Sequence, residues 1–183
     1  MSNNIFIEPW VSEKDWDQFD PSKVETPTYV ISEKKLEENL KILHNVEKET
    51  GVKILMALKS FSMFKFSPLI KKYLSGTEAS SVNEARLGYE EFGHEVHTFS
   101  PSYTKENIKD YMKYSSHLVF NSIQQWNSMK EYVLKNKKIS AGLRVNVEHS
   151  ETDNPMYDPS RPKSHFGVTI TNLKGQDIEG IEG

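Results

Sequence analysis

The 183-residue chain contains no cysteine. This excludes a disulfide, a thiolate metal site and a cysteine nucleophile within it, and it fits a reducing compartment. There is no excess of one charge either. The 23 basic and 26 acidic residues give a net charge of −3 and are interspersed rather than blocked. A nucleic-acid partner, which calls for a basic face, is therefore not expected. No apolar run approaches the roughly 20 residues needed to span a bilayer. Met1 to Trp10 lacks the basic and long apolar segments of a signal peptide. The expectation is a cytoplasmic protein with no membrane association. The sequence also has no GxGxxG, no Walker motif and no Gly-x-Ser-x-Gly elbow. What is present is 36% apolar and 27% charged residues, enough to bury the core of a single domain.

Residues 1–25 are polar, with Pro9-Trp10, Trp16 and Pro21, and read as an irregular lead-in. Thr26 to Ile31 (TPTYVI) is β-branched and aromatic, which predicts a strand. Ser32 offers a helix N-cap, and Leu36, Leu40 and Leu43 follow at helical spacing up to Thr50-Gly51. From there the pattern alternates. Val52 to Leu58 (VKILMAL) reads as a strand buried on both faces, and Ser67-Pro68 to Leu74 as a helix. Thr77 to Ser81 predicts a strand, then a helix capped by Asn83 runs to Glu91. Glu95 to Ser100, His117 to Ser122 and Ile139 to Val147 predict strands; Thr104 to Tyr114 and Ile123 to Lys135 predict helices. Glu148 to Lys163 holds Pro155, Pro159 and Pro162 and reads as a long loop; Ile170 to Leu173 begins another element.

Strands and helices alternating in this way imply βαβ units and a parallel sheet. Periodicity leaves two architectures open: an open doubly wound sheet or a closed (β/α) barrel. A barrel needs eight strands, and about five are present after the lead-in strand.

Lys59 is the leading candidate for chemistry. It closes an apolar strand at its carboxyl end, where α/β folds place their sites. A partly desolvated lysine there is a competent Schiff-base nucleophile; the competing reading is a lysine that snorkels at a strand edge. Ala57 shares the face of Lys59. Arg144 and Asn146 alternate with Leu143, Val145 and Val147, so the polar pair is predicted to point inward and the branched residues toward helices. A buried arginine needs a partner, and Glu78 and Ser80 are the candidates. Ser60, Ser80, Ser81, Ser100, Asn121, Ser122 and Asn146 crowd the strand ends, where ligand binding competes with ordinary helix capping. His94 and His97 flank Glu95, but the spacing matches no recognised metal site; no metal is expected. His165 lies just after the long loop, where a place in an active-site loop competes with plain surface exposure.

These residues together resemble a known family. Thr26-Pro27-Thr28-Tyr29-Val30 and the helix after it are similar to the opening of the pyridoxal-phosphate (PLP) decarboxylases of the alanine-racemase-like fold. Lys53 to Phe61 (KILMALKSF) resembles the cofactor-lysine strand of that family, and Gly76 to Gly88 (GTEASSVNEARLG) its second strand and helix. EARLG, EVHTFSP, VFNS, GLRVN, Tyr157-Asp158-Pro159 and Phe166-Gly167-Val168-Thr169 resemble the carboxynorspermidine (carboxyspermidine) decarboxylase branch. The likeness runs from about Thr26 to the end.

The resemblance implies a partial (β/α)8 barrel over 26–183, with 1–25 as a lead-in. It implies PLP held by Lys59 as a Schiff base, with Ala57, Ser80 and Arg144 near the cofactor. Glu78 stands where many relatives carry an aspartate that supports the cofactor lysine; glutamate is one methylene longer. The implied reaction is decarboxylation of carboxynorspermidine or carboxyspermidine to norspermidine or spermidine, in a cytoplasmic homodimer. Ornithine, arginine or diaminopimelate decarboxylase and a non-catalytic or regulatory relative are the alternatives. A doubly wound nucleotide-binding domain is disfavoured by the missing glycine-rich turn. The family's remaining barrel strands and β-domain are not within the 183 residues, so these residues alone are expected to lack activity.

Overall fold

The computed structural model describes residues 19–183. Pro9-Trp10 and Trp16 lie outside them. The chain divides into two compact units, the second being Lys34–Gly183. In the first, Pro21–Lys23 forms a single 3-10 turn capped by the Asp20 carboxylate. Residues 26–31 do not form the predicted strand. Pro27 has no N–H to give, and the segment pairs with no partner among the described residues. Propensity without a partner edge leaves the run irregular, with Tyr29 96% exposed.

The second unit is an alternation of helices and parallel strands. Helix α1 spans Glu33–Thr50, starting directly after Ser32 and ending at left-handed Gly51. It is followed by β1 (Leu55–Ala57), α2 (Ser67–Ile70) and β2 (Gly76–Ala79). Then come α3 (Val82–Leu87), β3 (Glu95–Phe99), α4 (Ile108–Tyr114) and β4 (His117–Phe120). The last elements are α5 (Ile123–Leu134), β5 (Ser140–Leu143), β6 (Val145–Asn146), β7 (Val168–Thr169) and α6 (Ile170–Leu173).

Strands β1 to β5 pair side by side in chain order, all parallel. This order resolves what periodicity left open. A doubly wound sheet reverses direction at a switch point, whereas a barrel adds each strand beside the last. The sheet continues beyond β5. Arg144 donates its backbone N–H to Phe120 O and accepts from Val168 N–H, both at 2.8 Å. The predicted strand 139–147 therefore exists as two short pieces hinged at Arg144, the first paired with β4 and the second with β7.

Alternation sorts the faces. Val96 and Thr98, and Leu118 and Phe120, are buried under the helices. One apolar cluster joins Leu40, Leu58, Ile70, Ala79, Ala85 and Val96, at the β1–β3 end. A second joins Tyr103, Ile108, Phe120, Trp126, Met129 and Ala141 at the β4–β5 end. The opposite face, which would line a barrel, is only half-buried: Glu78, His97, His117 and Ser140 form one registered layer there. For the same reason β1 is not buried on both faces as predicted. Val145 and Val147 are exposed rather than packed under helices; the main apolar clusters end at β5.

Two helix starts use the same device. Ser81 Oγ accepts from the Glu84 N–H, and Glu84 Oε2 accepts from the Ser80 N–H at 2.6 Å. Ser122 Oγ accepts from the Gln125 N–H, and Gln125 Oε1 accepts from the Asn121 N–H at 2.7 Å. These are capping boxes shifted back by one residue. Ser81, not Asn83, caps α3. The boxes satisfy the backbones of Ser80 and Asn121, so both side chains remain available to the strand ends.

Buried Tyr103 fastens the carboxyl ends of β3 and β4. Its hydroxyl accepts from the Ser100 N–H at 3.1 Å and donates to Thr98 O at 3.0 Å. Burial pushes its ionisation far above the ordinary tyrosine range. Tyr103→Phe leaves a buried N–H without an acceptor. The expected loss of stability is about 1–3 kcal/mol, measured by denaturant unfolding; an unchanged midpoint would dismiss the role.

Candidate functional site

Lys59 sits in the turn that follows β1, one residue past the last ladder hydrogen bond, Leu58 N–H to Glu78 O at 3.0 Å. The Ser60 and Phe61 N–H groups both close back on Ala57 O, which fixes where the lysine leaves the sheet. The side chain is 59% exposed, so it is less desolvated than expected. Its ammonium lies 3.2 Å from Glu78 Oε2 and 3.4 Å from Ser80 Oγ. Ser80 Oγ in turn donates to Glu78 Oε1 at 3.2 Å. Ala57 is registered beside Glu78 in the neighbouring strand. Lys59, Ala57 and Ser80, named from sequence, thus come together, and Glu78 joins them. Its extra methylene lets a carboxylate that starts one layer below reach the lysine amine.

Arg144 is held differently from expectation. Glu78 and Ser80 are committed to Lys59, and no carboxylate among the described residues pairs with Arg144. Its guanidinium carbon lies over two aromatic rings, 4.7 Å from the Phe99 centroid and 4.5 Å from the Phe166 centroid. The two rings are tilted 52° to each other with centroids 6.4 Å apart, so they flank the cation at an angle and hold it by cation–π attraction. Burial lowers its basicity, yet an arginine stays charged.

Phe166 reaches Arg144 because the end of the long loop is tied down. Asn121 Nδ2 donates to His165 O and Asn121 Oδ1 accepts from the Gly167 N–H, both at 2.8 Å. Asn146 Nδ2 donates to Phe166 O at 3.2 Å. The two asparagines are therefore loop anchors. His165 itself points out to solvent, its ring against Phe166. Gly167 has φ +77, and a Cβ there would lie 2.9 Å from Asn146 N and 3.1 Å from Arg144 O. Those neighbours are backbone and cannot move aside. Gly167→Ala is expected to cost about 1–3 kcal/mol and to lift Phe166 off Arg144. Limited proteolysis within 148–166 should accelerate; an unaltered cleavage rate would argue against the anchor.

Sequence spacing missed one residue. The spacing groups His97 with His94 and Glu95 and gives no sign of His117, which pairing of β3 with β4 registers against His97. The two imidazoles stack at 3.8 Å, and His97 Nε2 lies 3.1 Å from Glu95 Oε2. His94 faces elsewhere, its Nε2 on Lys71 O. Burial, and then the neighbouring His97, lower the basicity of His117. The only prior signal was inward parity on each strand; register cannot be read from either strand alone.

Among solved structures, the chain superposes on carboxynorspermidine decarboxylase from Campylobacter jejuni, crystallised with norspermidine, with a TM-score of 0.76 and 32% identity. That match covers 87% of this chain and 40% of the other. The chain resembles the N-terminal part of a carboxynorspermidine decarboxylase. The sheet is accordingly a partial β/α barrel of the alanine-racemase type. Diaminopimelate decarboxylase from Helicobacter pylori shares that fold at 20% identity and a TM-score of 0.58, covering 73% of this chain and 36% of its own.

Curated relatives agree. A carboxyaminopropylagmatine decarboxylase of Synechocystis is 37% identical over 162 residues, 88% of this chain and 42% of the relative. A carboxynorspermidine/carboxyspermidine decarboxylase of Campylobacter jejuni is 34% identical over 161 residues, 88% of this chain and 41% of the relative. The chain thus spans about two fifths of the length of these relatives. No protein-family model matches it. No helix among the described residues is long and apolar enough to cross a membrane.

Proposed function

We propose that the protein is a PLP-dependent decarboxylase of carboxylated polyamines, with Lys59 as the residue that binds the cofactor aldehyde. The observation that carries this reading is the reach of the Lys59 amine at the carboxyl end of β1, 3.2 Å from Glu78 and 3.4 Å from Ser80. The residues suit the group. An accessible amine can condense with an aldehyde. The Glu78 carboxylate lies within reach to accept a proton from it when it reacts. Arg144, without a carboxylate partner among the described residues and flanked by Phe99 and Phe166, offers N–H donors to an anionic cofactor or substrate group. Ser80 adds a hydroxyl at the same rim. When bound, PLP supplies an electron sink for the carbon that loses carbon dioxide; the protein orients the scissile bond and returns the proton.

Support for the substrate class comes from relatives whose names all describe removal of a carboxyl group from a polyamine-bearing amino acid. Carboxynorspermidine and carboxyspermidine fit the branch-specific segments. Carboxyaminopropylagmatine is the second reading, favoured by the 37% identity to the Synechocystis relative. We also propose a cytoplasmic homodimer, as the resemblance of the sequence motifs to the PLP decarboxylases implies. The test is a comparison of kcat/KM across substrates. Carboxyspermidine, carboxynorspermidine or carboxyaminopropylagmatine should lead ornithine and diaminopimelate by at least about 100-fold, the discrimination that lost apolar pocket contacts alone can supply. The reverse ranking overturns the substrate class.

A further inference from the structure

We infer that Glu95, His97 and His117 form a binding site for a borderline divalent cation of the zinc class, on the inner face of the sheet. The site is distinct from the Lys59 group, though near it. His97 is registered beside Glu78, and Glu78 beside Ala57, two residues before the lysine.

The donors converge for a simple reason. Glu95 and His97 are two residues apart on β3 and so share its inner face. His117 faces the same way because it is the registered partner of His97 on β4. Each residue offers one ligand atom, and the three atoms all lie within 4.8 Å of one another. His117 Nδ1 is 3.0 Å from Ser116 Oγ, so its outer nitrogen is already oriented and Nε2 is the ligand atom. Ligating histidines are ordinarily supported in this way. Glu95 is supported by Lys53, whose ammonium meets Oε1, while Oε2 faces His97 Nε2.

Two imidazoles and one carboxylate are the donor set of open zinc sites, with a fourth position left to water or a ligand. The set selects the cation. Imidazole suits zinc, cobalt, nickel and copper, whereas magnesium and calcium take oxygen shells. Around a tetrahedral ion with bonds of about 2.1 Å, ligand atoms sit about 3.4 Å apart. His97 Nε2 and Glu95 Oε2 are already 3.1 Å apart; the widest donor separation closes by at most about 1.4 Å, and the stacked rings splay so that each lone pair points at the ion. All three side chains are only half-buried, so rotamer changes supply this movement without shifting the strands.

Cobalt(II) titration of the purified chain reads the site directly, because tetrahedral cobalt absorbs in the visible. About one equivalent is expected to bind, to be displaced by zinc and to be left in place by magnesium. His97→Ala and His117→Ala should each weaken binding more than about 100-fold, beyond what loss of a supporting group does. His94→Ala should bind as the unaltered chain does. No saturable uptake, uptake indifferent to His97 and His117, or uptake lost with His94 overturns the site. Where an alanine variant does not fold, X-ray absorption of the zinc-loaded unaltered chain decides. A shell of two imidazoles and one carboxylate supports the site; an all-oxygen or single-imidazole shell rejects it.

Discussion

Replacing Lys59 with alanine is expected to remove covalent cofactor binding and lower kcat/KM by about two to four orders of magnitude, the range for loss of a positioned acid–base group. Borohydride reduction of the PLP-treated protein followed by peptide mapping should label the peptide containing Lys59, and that label should vanish in Lys59→Ala. Nearby lysines provide the internal control. Lys53 is held by Glu95 on the same strand side, and Lys65 and Lys71 lie beyond the turn. A label on any of these with Lys59 unmodified would sink the assignment. Glu78→Gln separates position from charge. It keeps a hydrogen-bonding group beside the amine but removes the negative charge, so the label should stay at Lys59 while kcat/KM falls by about two orders of magnitude or more, the range for loss of a positioned proton acceptor.

Trp126→Ala is expected to lower stability by about 3–5 kcal/mol, a large part of the total for a domain of this size. Trp126 lies on α5, is fully buried, and meets the Phe120 ring edge-on at 5.2 Å. The last residues of the chain pack over it: a Cβ on Gly180 would sit 3.2 Å from Trp126 Cζ2 and 2.7 Å from Leu134 Cδ2. Segment 181–183 is also tied to β5, with the Glu182 N–H on Ala141 O and the Leu143 N–H on Gly183 O, each at 2.8 Å. Removing the indole therefore opens a cavity between α5, β4 and this segment. Trp126→Phe should behave differently. Trp126 Nε1 is buried without a hydrogen-bond partner among the described residues, so losing it relieves a desolvated donor worth about 1–3 kcal/mol against the lost area. Chemical denaturation should show Trp126→Phe well above Trp126→Ala. Equal midpoints would mean that the site collapses freely around either residue.

How far the sequence could be read differs from element to element. Periodicity and capping signals placed α1, α5 and all five strands of the main sheet within a few residues, because burial on one face writes itself into the residue pattern. The run TPTYVI had strand composition and no partner, so composition misled there. The break of the last strand at Arg144 was invisible, since both halves carry alternating branched residues and the hinge is made by pairing to two different neighbours. In the site, Lys59, Ala57 and Ser80 were legible as strand-end residues on one face. The partner of Arg144 was not. It proved to be two aromatic faces, one supplied by a loop residue 22 positions on (Phe166), which only anchoring by Asn121 and Asn146 brings into place.

By itself, then, the order of residues determined the βαβ alternation, the inward parity of the polar side chains and the place of the lysine at a strand end. These are local properties, set by the two-residue repeat of a strand and the chemistry of helix caps. The tertiary structure decided the strand order, the meeting of Glu78 with Lys59, the clamp on Arg144 and the stacking of His97 on His117. Each of these depends on register between segments some 20 residues or more apart, and register is fixed by how the faces pack together, which no single segment encodes.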